Sequence, residues 1–443
     1  MKGRLHARST VLAALVLMIA WPLDTNAGGF AVFDQGAEAA GMGNAATAMS
    51  EAPATLFYNV GGAAFFSKQD ASAGVLSTPS QSISFSEPLD TTVIQETFSQ
   101  ANPSPVLAHA YMIFPIAARL NAGVAVYSPF DLDTTHNNPT TFPGRATAVS
   151  SQIRTLDTNL SASARFGKLG IGIGVIARSS TFDLTRYLQT TSGTSTVDFA
   201  SAAVTTDPQI GFGWNAGLLY QPSKKLAIGA SYRSPISVTY NGSVTMTQIL
   251  TGSTSLDEAF AAAFPFGTAL PFNSKIDFPA VASAGVTMGL SKGLKASFDV
   301  NWTAWSALSQ IAYTVTTVPL LDDTIPMNLV DSYSYRMGLQ YTQFSGQKWR
   351  LGYSYDESPQ PVSEMNAFLT DTHRQTVSVG WGMDWLDVSA QWVSHLARTS
   401  TNAAFEGTVA GDSWKIAVTV KKKPDKSKLE ADAKDAAKKK LKL

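Results

Sequence analysis

The sequence predicts an all-β fold: a transmembrane antiparallel β-barrel of about fourteen strands with an N-terminal hatch, or plug, inside the lumen. Three observations carry this prediction. Apolar and polar residues alternate along most of the 443 residues. Charged residues make up 15% of the chain, against roughly 25% in soluble domains. Short and long connections between the alternating runs take turns, as they do in outer-membrane barrels.

Residues 294–302 set the pattern. Leu294, Ala296, Phe298, Val300 and Trp302 are apolar, and Lys295, Ser297, Asp299 and Asn301 between them are polar. A strand sends successive side chains to opposite faces, so one face here is apolar and the other polar. The same alternation returns at 333–341, 349–355 and 386–392.

The N-terminus sets the compartment. Lys2, Arg4 and Arg8 precede an apolar core at 11–21 that is too short to span a bilayer, and Thr25-Asn26-Ala27 offers small residues for cleavage. Residues 1–27 are therefore expected to be a secretory signal peptide. The chain has no cysteine, which excludes disulfides and thiolate metal sites. No later stretch has the apolar run a membrane helix needs, so any membrane passage is made by strands. An exported, cysteine-free chain of alternating strands points to a bacterial outer membrane. Formal net charge is zero, but the residues from Lys421 onward are lysine-rich, so the remainder is acidic on balance.

Residues 28–66 are rich in Gly and Ala and lack strong alternation. Small residues let backbone pack against backbone in a confined space, as a plug inside a barrel requires. Phe30, Phe33, Phe57, Tyr58, Phe65 and Phe66 make the segment too apolar for a solvated linker. The barrel is expected over 67–422. Its alternating runs lie near 70–80, 106–116, 119–133, 144–166, 169–187, 209–222, 226–246, 275–290, 294–315, 330–344, 348–360, 372–383, 385–398 and 411–422. Gly167-Lys168, Ser223-Lys224-Lys225, Ser291-Lys292-Gly293 and Met383-Asp384 are short turns, whereas 80–104, 189–209, 247–273 and 316–328 are long, polar links. Apolar faces then meet lipid and polar faces the lumen. Tryptophan and tyrosine crowd the strand ends, among them Trp302, Trp305, Tyr333, Tyr335, Trp349, Tyr353, Tyr355, Trp381, Trp385 and Trp392, as in interfacial girdles. That distribution disfavours a soluble multi-sheet protein.

Several ordered blocks bear a family resemblance. Gly28-Gly29-Phe30, the run GFGWNAG at 211–217 followed by Tyr232-Arg233-Ser234, Trp302-Thr303-Ala304-Trp305-Ser306, Tyr335-Arg336-Met337-Gly338 and Tyr355-Asp356-Glu357-Ser358-Pro359 stand in order. Together they make the chain, from Gly28 to about Val420, resemble the FadL/TodX family of outer-membrane transporters. The resemblance implies a fourteen-stranded barrel with an N-terminal hatch and inward movement of long-chain fatty acids or aromatic hydrocarbons. The expected partners are these hydrophobic small molecules, with outer-membrane lipid and lipopolysaccharide around a monomeric barrel. Neither nucleic acid nor any cofactor is expected.

Four sets of residues are candidates for function. The first is an external apolar groove in the loop at 255–271. Ser255 and Glu258 have capping-box spacing, and Leu256, Ala259, Phe260, Ala263 and Phe264 form a helical stripe extended by Phe266 and Leu270. It reads either as a capture groove, which the resemblance implies, or as a loop packed on the barrel rim. The second is a lumen pocket of Phe30 and Arg186. The resemblance gives Arg186 a carboxylate to grip, and Phe30 a place in the pocket from which ligand displaces it. An arginine at the headgroup interface is the alternative. The family's lysine partner falls near Pro326-Met327, where there is none, and Asp322 and Asp323 stand in that loop. This departure favours a neutral hydrocarbon.

The third set is Ser128, Pro129 and Phe130. Proline has no N–H for a ladder, so Pro129 implies either a break in the third strand, as the family's lateral window would have, or the strand's outer end. The fourth is the hatch turn, Asn59 and Gly61, where Asn59-Val60-Gly61 replaces the family's Asn-Pro-Ala. Asp299, Arg336, Arg350, Asp356, Arg374 and Asp387 point inward by alternation and are expected to form a lumenal ion-pair network. The tail at 423–443 reads as a short basic periplasmic helix touching anionic lipid or cell-wall polymer, or as a solvated tail.

No metal-ligand spacing and no nucleophile elbow occur in the sequence. The rival functions are an outer-membrane lipid-acting enzyme of the esterase type and a structural or adhesive surface barrel.

Overall fold

A computed structural model describes residues 29–86, 97–99, 106–192 and 194–421. The expected signal peptide at 1–27 and the lysine-rich tail at 423–443 lie outside the described residues. The alternating runs form one closed antiparallel barrel of 14 strands. They are β1 (Asp70–Ser86), β2 (Val106–Ala117), β3 (Leu120–Tyr127 continued by Asp131–Thr135), β4 (Ser150–Phe166) and β5 (Leu169–Ser192). Then follow β6 (Ser195–Thr206 and Gln209–Ser223), β7 (Leu226–Arg233 and Ile236–Gln248), β8 (Ala269–Phe278 and Val281–Ser291) and β9 (Leu294–Thr303 and Gln310–Val315). The last five are β10 (Ser332–Thr342), β11 (Lys348–Asp356), β12 (His373–Gly382), β13 (Leu386–Ser400) and β14 (Gly407–Lys421). Closure is made by β1, which pairs with β2 (Ser72↔Tyr111) and with β14 (Val75↔Val418). A closed sheet leaves no edge, which a spanning sheet needs in lipid. No helix among the described residues is long and apolar enough to cross a membrane.

The alternation sorts as expected along β4. Leu156 and Leu160 face outward and are 45% and 53% exposed, while Asp157, Asn159, Ser161 and Ser163 face inward and are buried. One aromatic residue expected in the outer girdle turns inward instead: Trp305 sits in a 3₁₀ turn, Trp305–Ala307, that interrupts β9, and is fully buried in the lumen. Tyr355 keeps its place in the alternation, opposite Tyr335, but is buried. The long polar link expected over 189–209 is largely strand: β5 runs on to Ser192, and Ser195–Thr206 returns as the outer half of β6.

The hatch occupies the inner half of the lumen. It consists of α1 (Ala37–Ala40), α2 (Thr55–Tyr58) and a 3₁₀ stretch, Val60–Phe65. These elements are too short to satisfy their own backbone groups, so the wall does it. Thr47 N donates to Asp299 (2.7 Å), Ala37 N to Thr419 Oγ1 (2.9 Å) and Gly43 N to Ser378 Oγ (3.1 Å). Ser163 Oγ and Asn121 Nδ2 donate to the carbonyls of Val60 (2.8 Å) and Ala63 (2.6 Å). This explains why the inward residues are polar at this level. Of the six inward charges, four pair directly: Arg336 with Asp356 (2.6 Å) and Arg350 with Asp387 (2.8 Å). Asp299 and Arg374 hold hatch backbone instead, Arg374 donating to the Gly29 carbonyl (3.0 Å).

Above the hatch the lumen turns apolar. Ile153, Phe182, Leu184, Val238, Tyr240, Phe272 and Ile276 all point inward and are buried in one cluster. The change falls at one level, where β3, β6, β7 and β8 are each interrupted beside a proline: Pro129, Pro208, Pro235 and Pro279. At each step the inward side chains shift from odd-numbered to even-numbered positions, or the reverse. Local phase shifts of this kind re-aim side chains within a wall that stays closed.

Candidate functional site

The aromatic pocket lies at the level of those proline steps. The Phe30 ring meets Trp305 edge-on at 4.8 Å between centroids, Phe130 at 5.9 Å and Phe278 at 6.3 Å. Beneath it Arg178 forms a two-pronged bond to Asp157, Nε to Oδ1 at 2.7 Å and Nη2 to Oδ2 at 2.8 Å, with both residues buried. The same guanidinium lies 4.8 Å from the ring centres of Phe130 and Phe278. A buried charge so paired and stacked holds two aromatic walls in place, its charge met by Asp157 while Nη1 is left buried without a hydrogen-bond partner.

β3 is broken beside this pocket. Tyr127 ends its inner half and Asp131 begins its outer half, and only the inner half pairs with β2. The hatch N-terminus fills the vacant hydrogen-bonding positions. Val32 N donates to the Pro129 carbonyl (2.8 Å), Asp131 N donates to the Phe30 carbonyl (3.0 Å), and Ala31 bridges to Phe130. Gln35 Nε2 adds a bond to the Ser128 carbonyl (2.6 Å). A cavity of ≈ 160 Å³ adjoins the break, lined by Phe30, Val32, Leu76, Ile83, Leu107 and Leu132 together with Asp371, Arg374 and His395.

Gly29 ties this segment to the loop ahead of β12. Its N–H donates to Asp371 (3.2 Å), which also accepts from Ser358 Oγ (2.5 Å). Burial pushes the Asp371 carboxyl up, against the opposing pull of Arg374 and Arg398. Gly29 has φ +58°, and a Cβ there would stand 2.7 Å from the Trp305 indole.

Phe30 and Arg186, grouped as one pocket by the sequence, stand in different places. Arg186 forms an ion pair with Asp323 and donates to Tyr313 Oη (2.5 Å), beside Leu188, Phe272 and Leu321. Asp323, placed in that loop by the sequence, is thus the partner of Arg186.

The external loop carries α3 (Thr254–Ala263). Its N-cap is Ser253, which places Ser255 inside the helix, and no side chain caps it, so the Ser255–Glu258 capping box does not form. Asp257 instead accepts from the backbone N–H and the hydroxyl of Thr251, each at 2.8 Å. The stripe divides by burial. Phe264 and Leu270 are buried, Leu256, Phe260 and Phe266 half-buried, and Ala259 and Ala263 exposed. Phe260 stacks on Phe199 of β6 at 4.2 Å, and Phe264 lies 5.5 Å from the same ring.

The hatch turn is anchored on both sides. Asn59 Oδ1 accepts from Gly61 N (3.0 Å), and Asn59 Nδ2 donates to the carbonyls of Thr47 (2.8 Å) and Leu218 (2.9 Å). A Cβ on Gly217, in the GFGWNAG block, would collide with the Asn59 side chain.

The sequence reading missed Trp305 as a lumenal residue, and it missed Phe278, Arg178 and three of the four proline steps. The signal was present in Asp207-Pro208, Ser234-Pro235 and Phe278-Pro279, each inside an alternating run. Among the described residues no cluster could hold a metal ion.

Residues 16–419 match a family model described as outer membrane protein transport protein (OMPP1/FadL/TodX). The long-chain fatty acid transport protein of Escherichia coli (strain K12) is 23% identical over 318 residues, covering 63% of this chain and 67% of that protein. Among solved structures, a Pseudomonas aeruginosa FadL homologue superposes with a TM-score of 0.75 at 16% identity, covering 89% of this chain and 99% of that one. The toluene transporter TodX of P. putida gives 0.63 at 14% identity, covering 90% and 99%.

Proposed function

Because the chain belongs to the OMPP1/FadL/TodX family of outer membrane transport proteins, we propose that it carries long-chain fatty acids or hydrocarbons inward by passive, ligand-gated diffusion. The family is one of transport proteins of the outer membrane, which sets aside the lipid-acting enzyme. A water-filled pore would not serve such a cargo, since moving an apolar chain into water costs about 0.8 kcal/mol per CH₂. An apolar lumen above a polar, plugged base suits it.

In this reading Leu256, Phe260, Phe264, Phe266 and Leu270 offer the first apolar contact, with Ala259 and Ala263 on the outer side of the same helix. The molecule passes to the pocket around Phe30 and displaces that ring. Residues 30–32 then leave β3, which frees the break at Ser128, Pro129 and Phe130 as a sideways exit into the membrane. Asn59 and Gly61 keep the rest of the hatch seated. The observation that carries the reading is the pairing of residues 30–32 with 129–131: one short segment both supports the pocket ring and closes the wall. Arg178 and Arg186 both have carboxylate partners, which favours a neutral hydrocarbon over a free acid.

Native mass spectrometry of the purified barrel tests this. A retained apolar molecule that exchanges with added hydrocarbon is expected. An empty barrel that never takes up alkane, arene or fatty acid, from a strain whose growth on such carbon sources survives deletion of the gene, would instead favour the structural or adhesive surface barrel.

A further inference from the structure

The wall has a second weak line, between β6 and β7. The inner half of β6 points Gly211, Gly213 and Asn215 inward, while its outer half points Ala202, Val204 and Thr206 inward. β7 has Arg233 inward below its step and Ile236, Val238 and Tyr240 inward above it. Each strand therefore shifts phase once, β6 at Asp207-Pro208 and β7 at Ser234-Pro235. The two shifts do not face each other. The ladder runs to Asn215↔Arg233 and resumes at Thr206↔Gly242. At the two ends of the stretch between, Ser234 N donates to the Trp214 carbonyl (2.9 Å) and Asp207 N to the Asn241 carbonyl (3.2 Å). Between those bonds the two strands are out of phase and make no ladder pairs.

Side chains close this seam. A Cβ on Gly211 would lie 2.6 Å from the Ser237 carbonyl and 2.8 Å from Ile236, and one on Gly213 would lie 2.5 Å from Ile236. The two glycines are what let Ile236 and Val238 lie over the neighbouring strand. On the lumen side Ile236, Val238 and Tyr240 belong to the same apolar cluster as Phe30 and Trp305. On the lipid side Ile210 and Phe212 are 64% and 77% exposed. Parting residues 209–213 from 236–240, between the two end bonds, breaks dispersion contacts and no ladder bonds, whereas parting fully paired strands breaks a row of hydrogen bonds that lipid cannot replace.

We propose that the seam between residues 209–213 of β6 and 236–240 of β7 is a second lateral passage for alkyl chains, latched by Ile236 and Val238. It differs from the break in β3, where the hatch takes up the free backbone groups. The inference rests on the transport reading, and its test separates the two.

A diazirine-bearing alkane is added to the full chain in phospholipid vesicles, and adducts are mapped by peptide mass spectrometry. The control is Val175, which is 62% exposed to the same lipid and is paired on both sides, to Leu160 and Trp214. Labelling of the Phe30 and Trp305 peptides is expected, with Phe212 labelled several-fold above Val175. Ile236→Trp, which fills the seam, should bring Phe212 down to the Val175 level while the Phe30 and Trp305 peptides still label. Lumenal labelling with Phe212 no higher than Val175 in the unmodified protein overturns the seam alone. Absence of lumenal labelling overturns the transport reading, and the seam with it. The unmodified chain decides the matter even if the variant does not fold.

Discussion

Phe30 stands edge-on to Trp305, ring centres 4.8 Å apart, while its own carbonyl accepts a hydrogen bond from Asp131 in the broken strand β3. Loosening the ring therefore loosens the wall. Truncating a buried phenylalanine costs about 3–5 kcal/mol. If only about 1.4 kcal/mol of that falls on the seat of residues 29–32, the unseated fraction rises about tenfold. Phe30→Ala should accordingly raise the passive entry rate of a small apolar dye into outer-membrane vesicles by about that factor. An unchanged rate would mean that the ring is not what seats the segment.

Arg186 is neutralised by Asp323. Asp323→Asn should free the guanidinium and strengthen binding of fatty acids relative to neutral hydrocarbons, by roughly the 1.5–3 kcal/mol of a charged hydrogen bond at most. Arg186→Ala should remove that gain. Competition between a fatty acid and an alkane of equal length measures it. Equal effects on both ligands would remove Arg186 from any ligand contact.

Gly217 leaves room for Asn59 against the barrel wall. Gly217→Val should unseat the hatch turn while the barrel still closes, because Gly217 pairs through its backbone with Gly172 and Ser231. Ion conductance across a planar bilayer should rise above the background of the unmodified protein. A silent bilayer would show that the turn tolerates the displacement.

His136 lies in the external connection between β3 and β4, stacked on Phe142 at 3.9 Å and buried. Burial lowers its pKa from 6.5 to about 4. Between those values the unfolded chain binds the proton and the folded one does not, so stability rises with pH. The contribution is complete above about pH 6.5 and is lost as pH falls towards about 4. The protection factors of amides 136–149, that is exchange rates corrected for the intrinsic slowing of exchange in acid, should therefore fall on acidification through that window and recover on return. His136→Phe, which keeps a ring against Phe142, should flatten the dependence.

Much of this molecule is legible in the residues because a membrane barrel has few ways to fail. Inward Asp157, Asn159 and Ser161 alternate with outward Leu156 and Leu160, and that alone fixes which face meets lipid. The site was less legible. Trp305 stands in a run of aromatic residues that otherwise face the interface, and only the three-residue turn that interrupts β9 directs it inward. Arg186 and Phe30 were grouped because the family resemblance gives both a place in one lumen pocket, but β5 carries Arg186 above the level of the pocket to meet Asp323. Alternation has no means of counting phase shifts, so three proline steps passed unread within runs that looked continuous.

The most direct test uses the absence of cysteine from the chain. Ala31 and Phe130 face each other as a pair flanked by, not sharing, the bonds from Val32 and Asp131, the geometry in which side chains of opposed strands lie closest. Paired substitutions Ala31→Cys and Phe130→Cys should cross-link on oxidation and fix residues 30–32 across the break in β3. Uptake of a radiolabelled hydrocarbon should fall to near background in the oxidised protein and return on reduction, with the reduced form serving as its own control. Uptake that runs equally fast in both forms would contradict a hatch segment that must leave the wall for cargo to pass.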